Sequence, residues 1–240
     1  MARILQISYT GTVENTGKVF ETTHAQVAKE GNIYNLNAKY APVTVIVGEK
    51  ALIKGLESLL ETAKVGEETE RVFPPAEAFG ERDQKKIILT PLADFHKNKI
   101  QPVAGMIIEA DGMNARVQSV SGGRVRLDFN HELAGRSLKY KVKVEKEFTK
   151  PEEKVNALLD RDLPFEGLDK KLEVGKDSVK LELDARMKQN KYAALLAKKF
   201  EDDVKKYAPE FKTVSVEFSK EEKKTEAKEA GNKAVAEKTK

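Results

Sequence analysis

The conventional arrays of catalytic residues are missing from this 240-residue chain. The histidines His24, His96 and His131 are isolated and lack the i, i+4 spacing of a helical metal site. The sequence has no cysteine, no G-x-S-x-G nucleophile elbow, no Walker loop and no dinucleotide-binding G-x-G-x-x-G. If the chain is an enzyme, we expect a reaction that needs no side-chain nucleophile, no metal and no cofactor.

The composition excludes several other classes of protein. The net charge of +4 is spread over many ions of both signs, and tryptophan is absent, so we expect no nucleic-acid partner. No stretch approaches the roughly 18 apolar residues of a membrane-spanning helix, so we expect no membrane association. The absence of cysteine and of a signal-peptide pattern predicts a cytoplasmic location.

The first eighty or so residues are typical of a compact mixed domain. Alternating apolar residues predict a strand over 3–9, a hairpin connection over 11–17 and a partner strand over 18–23. The β-branched run 43–47 predicts a buried strand, and residues 70–73 predict another. Between them, one apolar helical face is formed by Leu52, Ile53, Leu56, Leu59, Leu60 and Ala63.

The pattern changes twice further along the chain. Residues 87–131, called the insert below, have short strands separated by turns, with Gly122-Gly123 as a two-residue hairpin signal. Residues 150–219 combine two amphipathic helices with alternating strands, which predicts a separate α+β module. Residues 220–240 are rich in Lys and Glu without aromatic residues, which predicts a disordered, solvated tail.

The most distinctive run is R-L-D-F-N-H-E-L-A-G-R at 126–136, which leads from one alternating strand into another through a polar turn. It closely resembles the D-x-N-H-x-L-A-G signature of SlyD-type FKBPs, peptidyl-prolyl isomerases that carry a chaperone domain inserted in a surface loop. The resemblance extends to the rest of the pattern, in order. The matching segments are I-S-Y-T-G at 7–11, G-K-V-F-E-T at 17–22, V-G-E-K-A-L-I-K-G-L-E at 47–57, P-P-A-E-A-F-G at 74–80 and L-K-Y-K-V at 138–142.

The implied chemistry agrees with the missing catalytic arrays. Rotation about an X–Pro bond crosses a barrier of about 18–20 kcal/mol and takes tens to hundreds of seconds. The twisted bond has lost its resonance and is less polar than the planar amide, so a dry apolar pocket favours it. A thousandfold acceleration requires only about 4 kcal/mol.

The resemblance also implies a set of pocket residues. It assigns catalytic positions to Tyr9, Phe20, Glu21, Ile53, Phe79 and Tyr140. It assigns substrate-binding positions to Val43, Leu52 and Leu56. In the family the backbone N–H at the Ile53 position binds the substrate carbonyl, and the acidic residue after Phe20 lies at the pocket edge. An alternative remains that Tyr9, Phe20 and Tyr140 are ordinary barrel core and that Glu21 is a solvated surface carboxylate.

Three positions depart from the family pattern. Glu21 stands where Asp is frequent, Phe79 where Tyr is frequent and Leu56 where Trp is frequent. The missing Tyr hydroxyl removes one hydrogen bond to substrate, worth roughly 0.5–1.5 kcal/mol. The His- and Cys-rich tail that binds nickel in many SlyD-type proteins is absent, so no metal is expected.

The insert has more apolar residues than so small a unit easily buries. Its predicted substrate-binding residues are Ile87, Leu89, Phe95, Ile100, Met106 and Ile107. Exposed apolar surface that includes methionine is typical of surfaces that hold unfolded chains. The alternative is that these residues close a miniature core.

The sequence thus predicts an α+β protein: an FKBP-like antiparallel half-barrel wrapped on a short helix, a small inserted β domain and a separate C-terminal α+β domain. The predicted boundaries are 1–86 with 132–149 for the isomerase, 87–131 for the insert, 150–219 for the C-terminal domain and 220–240 for the tail. That C-terminal module resembles one in the long archaeal FKBPs, and substrate binding or homodimer formation are both open for it.

The predicted function is isomerisation of X–Pro bonds in unfolded or partly folded proteins, combined with chaperone activity. A non-catalytic holdase or adaptor with an FKBP fold is the alternative, motivated by Phe79 and Leu56. A basic nucleic-acid-associated protein ranks far behind both.

Overall fold

The structure is a computed structural model that describes residues 2–110, 112–164 and 169–219. These residues form two compact units, one that ends at Phe148 and one that begins at Thr149. The predicted tail at 220–240 lies outside the described residues. No helix within the described ranges is long and apolar enough to cross a membrane.

The first unit is built on a five-stranded antiparallel sheet, called the large sheet below. Its strands are β1 (Ile4–Val13), β2 (Val19–Thr22), β3 (Val43–Ile46), β4 (Glu68–Phe73) and β9 (Leu138–Glu147). The long strand β1 pairs with β9 along one edge, and its other edge is divided between β3 and β2. Strand β4 extends the sheet beyond β9.

The helices of this region are α1 (Ala25–Glu30) and α2 (Lys54–Thr62). Leu56 and Leu60 of α2 are buried in the same core as Leu5, Ile7 and Val142 of the sheet. The helix is amphipathic as predicted, and its apolar face covers one side of the large sheet.

Arg3 fastens the end of α2 to the large sheet. Its guanidinium donates to the carbonyl oxygens of Leu60, Glu61 and Ala63 at 2.6, 2.8 and 3.0 Å, and it pairs with Glu147 of β9. These are carbonyl groups that a helix C-terminus leaves without partners, and a cation there also complements the helix dipole. The first turn of α2 is therefore presented at a fixed position over the sheet.

Gly55 allows helix α2 to pack closely against Phe73 of β4. A Cβ built at Gly55 would lie 2.2 Å from Cδ1 of Phe73, a ring with no exposed surface. We expect Gly55→Ala to destabilise the protein by about 1–3 kcal/mol, because overpacking outweighs the gain in helix propensity. Urea unfolding measures this, with Ser58→Ala on the exposed face of α2 as the control. A Gly55→Ala midpoint that rises as the control's does would contradict the packing argument.

The insert contains a second antiparallel sheet, called the small sheet below, in the order β5-β8-β7-β6. Its strands are β5 (Ile87–Pro91), β6 (Ile107–Ala110), β7 (Met113–Ser121) and β8 (Arg124–Asp128). The hairpin predicted at Gly122-Gly123 is confirmed, with both residues at positive φ between β7 and β8. Helix α3 (Leu92–Lys97) follows β5.

The C-terminal unit contains helices α4 (Pro151–Asp162) and α5 (Ala193–Tyr207). Its strands are β10 (Lys170–Val174), β11 (Ser178–Leu183) and β12 (Thr213–Phe218), in that order in one sheet. β10 and β11 are antiparallel, whereas β11 and β12 are parallel and joined through α5. A four-residue ion network of Arg161, Asp162, Lys199 and Asp203 links α4 to α5.

Several local predictions were wrong. Gly11 is a strand residue rather than a turn residue, because β1 continues to Val13. Strand β3 is not fully buried, since Val43 at its start is half exposed. Helices α1 and α3 and strand β10 were not predicted, because each is short and has few regularly spaced apolar residues.

Candidate active site

Three aromatic rings from neighbouring strands meet on the helix-covered face of the large sheet. Tyr9 lies on β1, Phe20 on β2 and Tyr140 on β9, and Tyr140 is between the other two rings. Its centroid is 6.1 Å from that of Tyr9 and 5.7 Å from that of Phe20, with the Phe20 pair nearly perpendicular. The edge-to-face geometry is favourable for aromatic pairs and builds an apolar wall.

Gly11 makes room for this cluster. It pairs with Glu21 on one side and Tyr140 on the other, in the middle of the aromatic group. A Cβ at Gly11 would lie 2.6 Å from Cζ of Phe20. A larger residue would therefore push the Phe20 ring out of place.

Glu21 is held by the two tyrosines. Its Oε1 accepts a hydrogen bond from the Tyr140 hydroxyl, and its Oε2 lies 3.5 Å from the Tyr9 hydroxyl. Burial and the Glu21 charge raise the pKa of Tyr9 to about 12, and the same causes raise the pKa of Tyr140 further. Both phenols stay protonated at neutral pH and can donate hydrogen bonds. The Tyr9 contact is at the distance limit of a hydrogen bond, so its hydroxyl is the more available donor.

Helix α2 contributes residues at its first turn. Leu52 and Ile53 are partly buried and pack against the same core as the aromatic cluster, which also includes the 2% exposed Leu56. Ile53 is the N-cap, with φ −62° and ψ 147°. Within the described residues its backbone N–H has no hydrogen-bond acceptor. A free donor at a helix start, next to an apolar wall, is suited to bind a carbonyl oxygen.

Phe79 lies outside this cluster and pairs instead with His131. Their rings are stacked at a centroid distance of 4.1 Å and an angle of 7°, and Phe79 is 36% exposed. The His131 Nδ1 accepts from the Leu133 N–H at 3.2 Å. The sequence indicated only a turn or hinge role for His131, because the two residues are far apart along the chain.

Val43 begins β3 directly opposite Ile7, a residue of this core, and is 36% exposed. Seven of the predicted residues pack on this core or bind its hydroxyl groups, whereas Phe79 and Val43 are more exposed. The seven are Tyr9, Phe20, Glu21, Leu52, Ile53, Leu56 and Tyr140.

The two segments that lead into and out of the insert are joined by the motif residues Asp128 and Asn130. The buried Asp128 carboxylate accepts from Arg82, from Gln118 Nε2 at 2.8 Å and from the Asn130 N–H at 2.9 Å. Asn130 exchanges two hydrogen bonds with the backbone of Asp83 at 2.9 Å. The motif thus ties both crossing segments together beside the stacked Phe79 and His131.

The predicted apolar residues of the insert lie in four different environments. Phe95 is 7% exposed and belongs to the core of the small sheet, so its predicted exposure is wrong. Ile100 packs against that core and lines a cavity of about 320 Å³ together with Ile88, Ile108 and Phe129. Ile87, Leu89 and Ile107 have the opposite strand parity and point to the other face of the sheet. Met106 is partly exposed just before β6.

Comparisons with known proteins identify the family of this chain. The family model described as FKBP-type peptidyl-prolyl cis-trans isomerase matches residues 2–102. A short-type peptidyl-prolyl cis-trans isomerase of Methanocaldococcus jannaschii is 41% identical over 132 residues, 55% of this chain and 84% of that protein. This chain belongs to the FKBP-type peptidyl-prolyl cis-trans isomerases. It is an enzyme of that activity, as the sequence resemblance predicted.

Further similarities concern the insert. The family model described as FKBP26, IF domain matches residues 88–133 of this FKBP.

The SlyD isomerase of Helicobacter pylori is 28% identical over 124 residues, 50% of this chain and 67% of that protein. Among solved structures, the three FKBP domains of wheat FKBP73 align with a TM-score of 0.32 and 15% identity, over 62% of this chain and 40% of that chain. That structural similarity is too low to support a conclusion.

Proposed function

We propose that this FKBP isomerises X–Pro bonds of unfolded or partly folded proteins in a pocket formed by the aromatic cluster and the first turn of α2. The observation that carries the proposal is the Ile53 N–H, which has no acceptor among the described residues and belongs to the residue that packs on the same core as Tyr9, Phe20 and Tyr140. An apolar wall next to one directed donor is the combination that prolyl isomerisation requires.

The pocket would act on the electronic difference between the planar and the twisted imide. The proline ring would lie against Phe20, Leu56 and Tyr140, which offer it no polar atom other than the Tyr140 hydroxyl that Glu21 already binds. Water excluded by these side chains no longer solvates the polar planar imide, so the less polar twisted state gains relative stability.

Ile53 and Tyr9 would orient the substrate. The Ile53 N–H would donate to a carbonyl oxygen next to the proline, which fixes one side of the rotating bond. The Tyr9 hydroxyl would be a second donor, and Glu21 would hold the two phenols in place rather than transfer a proton. Phe79, stacked on His131, and the half-exposed Val43 would contact the residues flanking proline at the rim.

We propose further that the insert captures unfolded segments and delivers them to this pocket. The support is the apolar cavity of about 320 Å³ on the α3 side of the small sheet, lined by Ile88, Phe95, Ile100 and Phe129. Capture next to the pocket raises the local concentration of prolyl bonds, which speeds catalysis without any new contact at the pocket.

The second candidate function is a holdase whose pocket is silent. It is favoured by the Phe79–His131 stack, because Phe79 has no hydroxyl for the substrate and its ring already has a partner. A holdase of this kind would prevent aggregation without changing the rate of prolyl exchange.

The remaining proposals rest on the sequence and concern location and assembly. The absence of cysteine supports a cytoplasmic location, and the dispersed charge supports protein rather than nucleic-acid or membrane partners. A homodimer through the C-terminal domain is supported by the exposed Tyr192 and Leu195 beside and on α5. The predicted domain boundaries also stay proposals.

The testing experiment is proline-limited refolding of a substrate protein with catalytic amounts of the enzyme. We expect substoichiometric wild type to accelerate the slow phase and Tyr9→Ala to lose about tenfold in that acceleration, through lost packing and one lost hydrogen bond. Aggregation of the same substrate is followed in parallel. Unchanged refolding with suppressed aggregation would overturn the isomerase assignment and favour the holdase.

A further inference from the structure

The face of the small sheet opposite the cavity has three exposed arginines. They are Arg116 on β7 and Arg124 and Arg126 on β8. Arg124 and Arg126 are two residues apart on one strand, and strand parity places them on the same face. Arg116 pairs with Asp128, the next residue of that face along β8. The three guanidinium groups therefore share one surface, called the arginine face below.

These arginines lack the carboxylate partners that basic residues have on the other two sheets. On the large sheet, Lys139, Lys141 and Lys143 each pair with a glutamate. On the C-terminal sheet, Lys171 and Lys180 do the same. Within the described part of the chain, no ion pair or side-chain hydrogen bond is made by Arg116, Arg124 or Arg126, and Asp128 is already occupied by Arg82 and Gln118.

Exposed apolar side chains alternate with the arginines on this face. Leu89 lies directly opposite Arg126, and Ile107 lies directly opposite Arg116. Leu89 is 60% exposed and Ile107 is 62% exposed. Directly opposed residues on antiparallel strands are close neighbours on one face. The surface thus combines unpaired positive charge with apolar area and has no aromatic ring on which a nucleobase could stack.

We propose that the arginine face binds segments of unfolded polypeptide in which acidic residues accompany apolar ones. This inference rests on the proposed capture role of the insert and names the class of client segment that it prefers. Guanidinium groups bind carboxylates through two parallel hydrogen bonds, so they favour Asp and Glu over neutral side chains. Leu89 and Ile107 add apolar contact area, so the preferred segment contains apolar residues as well as acidic ones.

Charge complementarity indicates that the partner of the arginine face is an acidic segment. Three neighbouring arginines without counter-charges repel one another, which opposes folding of the small sheet. An acidic segment removes that repulsion when it binds. Replacing the three arginines should therefore weaken binding of acidic segments while leaving the stability of the free protein unchanged or slightly higher.

The experiment uses the full chain and three fluorescent peptides that lack proline, so that the isomerase pocket does not bind them, and that share the same apolar residues. Their flanking positions are Glu, Gln or Lys, and fluorescence anisotropy gives Kd at low and high salt. The test variant combines Arg116→Gln, Arg124→Gln and Arg126→Gln. The control has the same change in net charge at exposed positions elsewhere, with Lys18→Gln, Lys64→Gln and Lys198→Gln.

We expect wild type to bind the Glu peptide about tenfold more tightly than the Gln peptide at low salt, and the preference to shrink at high salt. The arginine variant should lose this preference, whereas the lysine control should keep it. Urea unfolding of each variant verifies that both remain folded.

Other results would overturn the inference in distinguishable ways. If wild type binds the Gln and Glu peptides equally, the arginine face is not selective but capture by the insert stands. If wild type binds none of the peptides, both capture and the inference fail. If a single-stranded oligonucleotide binds more tightly than the Glu peptide and the arginine variant abolishes that binding, the face recognises phosphate rather than acidic polypeptide.

Discussion

Replacing Ile53 with proline is expected to lower kcat/KM for an X–Pro peptide by about 30-fold while leaving the fold intact. Ile53 has φ −62°, which lies at the value that proline imposes. Its N–H has no acceptor within the described residues, so the substitution removes no hydrogen bond of the fold. It removes the donor that we propose for the substrate carbonyl, and it also exchanges the Ile53 side chain, which packs on the core, for the smaller proline ring. A protease-free peptide isomerisation assay measures the effect.

The matched control is Ile53→Ala, which keeps the N–H and shortens the side chain. We expect a smaller loss of kcat/KM from this variant, because it removes apolar contact but not the donor. Urea midpoints of both variants test whether α2 still packs on the sheet. A folded Ile53→Pro protein with wild-type kcat/KM would show that the carbonyl is bound elsewhere and that the proposed pocket is wrong at its central contact.

Removing the insert is expected to reduce catalysis of protein refolding by about one-hundredfold while leaving catalysis on a short peptide nearly unchanged. The geometry of the junction allows this deletion. The Phe129 N–H donates to the Lys86 carbonyl at 3.0 Å, so the two ends of the insert are already adjacent. Residues 87–127 can therefore be replaced by a two-residue glycine linker, which keeps the contacts of Asp128 to Arg82 and Asn130.

Comparing the peptide assay with the refolding assay separates the contribution of the pocket from that of the insert. The peptide assay reports on the pocket, whose residues all lie outside the deleted segment. The refolding assay reports on the pocket and the capture of the unfolded chain together. An equal loss in both assays would mean that the insert is needed to form the pocket, for example through the Phe79–His131 stack beside the junction. That result would contradict the proposed division of labour.

The residues of the proposed pocket were named from the resemblance to FKBPs, and local patterns in the sequence indicated the strands and the helix that carry them. Tyr9 and Phe20 lie on strands with alternating apolar residues, and Ile53 begins a helix whose apolar face is continuous. A strand or helix period assigns a side chain to a face without knowledge of its partners. The order of the matching segments then indicated the FKBP family, which the relatives confirm.

In the insert, the sequence did not determine which face of the small sheet each apolar side chain occupies. Strand β5 has three consecutive apolar residues, Ile87, Ile88 and Leu89, so alternation could not show which of them faces the cavity. Pairing of Ile88 with Leu127 decides the matter, and a one-residue shift would have reversed it. The burial of Phe95 was not predicted for a related reason. Helix α3 is so short that its sequence has too few residues to show a periodic apolar pattern.

What the sequence determined by itself was the order of most elements, which follows from local spacing, and the family, which the order of the matching segments indicated. The tertiary structure decided what depends on partners far apart in the chain: the Asp128 network, the stack of Phe79 on His131 and the free N–H of Ile53. It also decided that, within the described residues, the three arginines of the small sheet make no ion pair, whereas Lys139 and Lys180 pair with glutamates on neighbouring strands. Whether a charge has a partner on the next strand is a property of strand register, which hydrogen bonding across the sheet sets and a single segment does not contain.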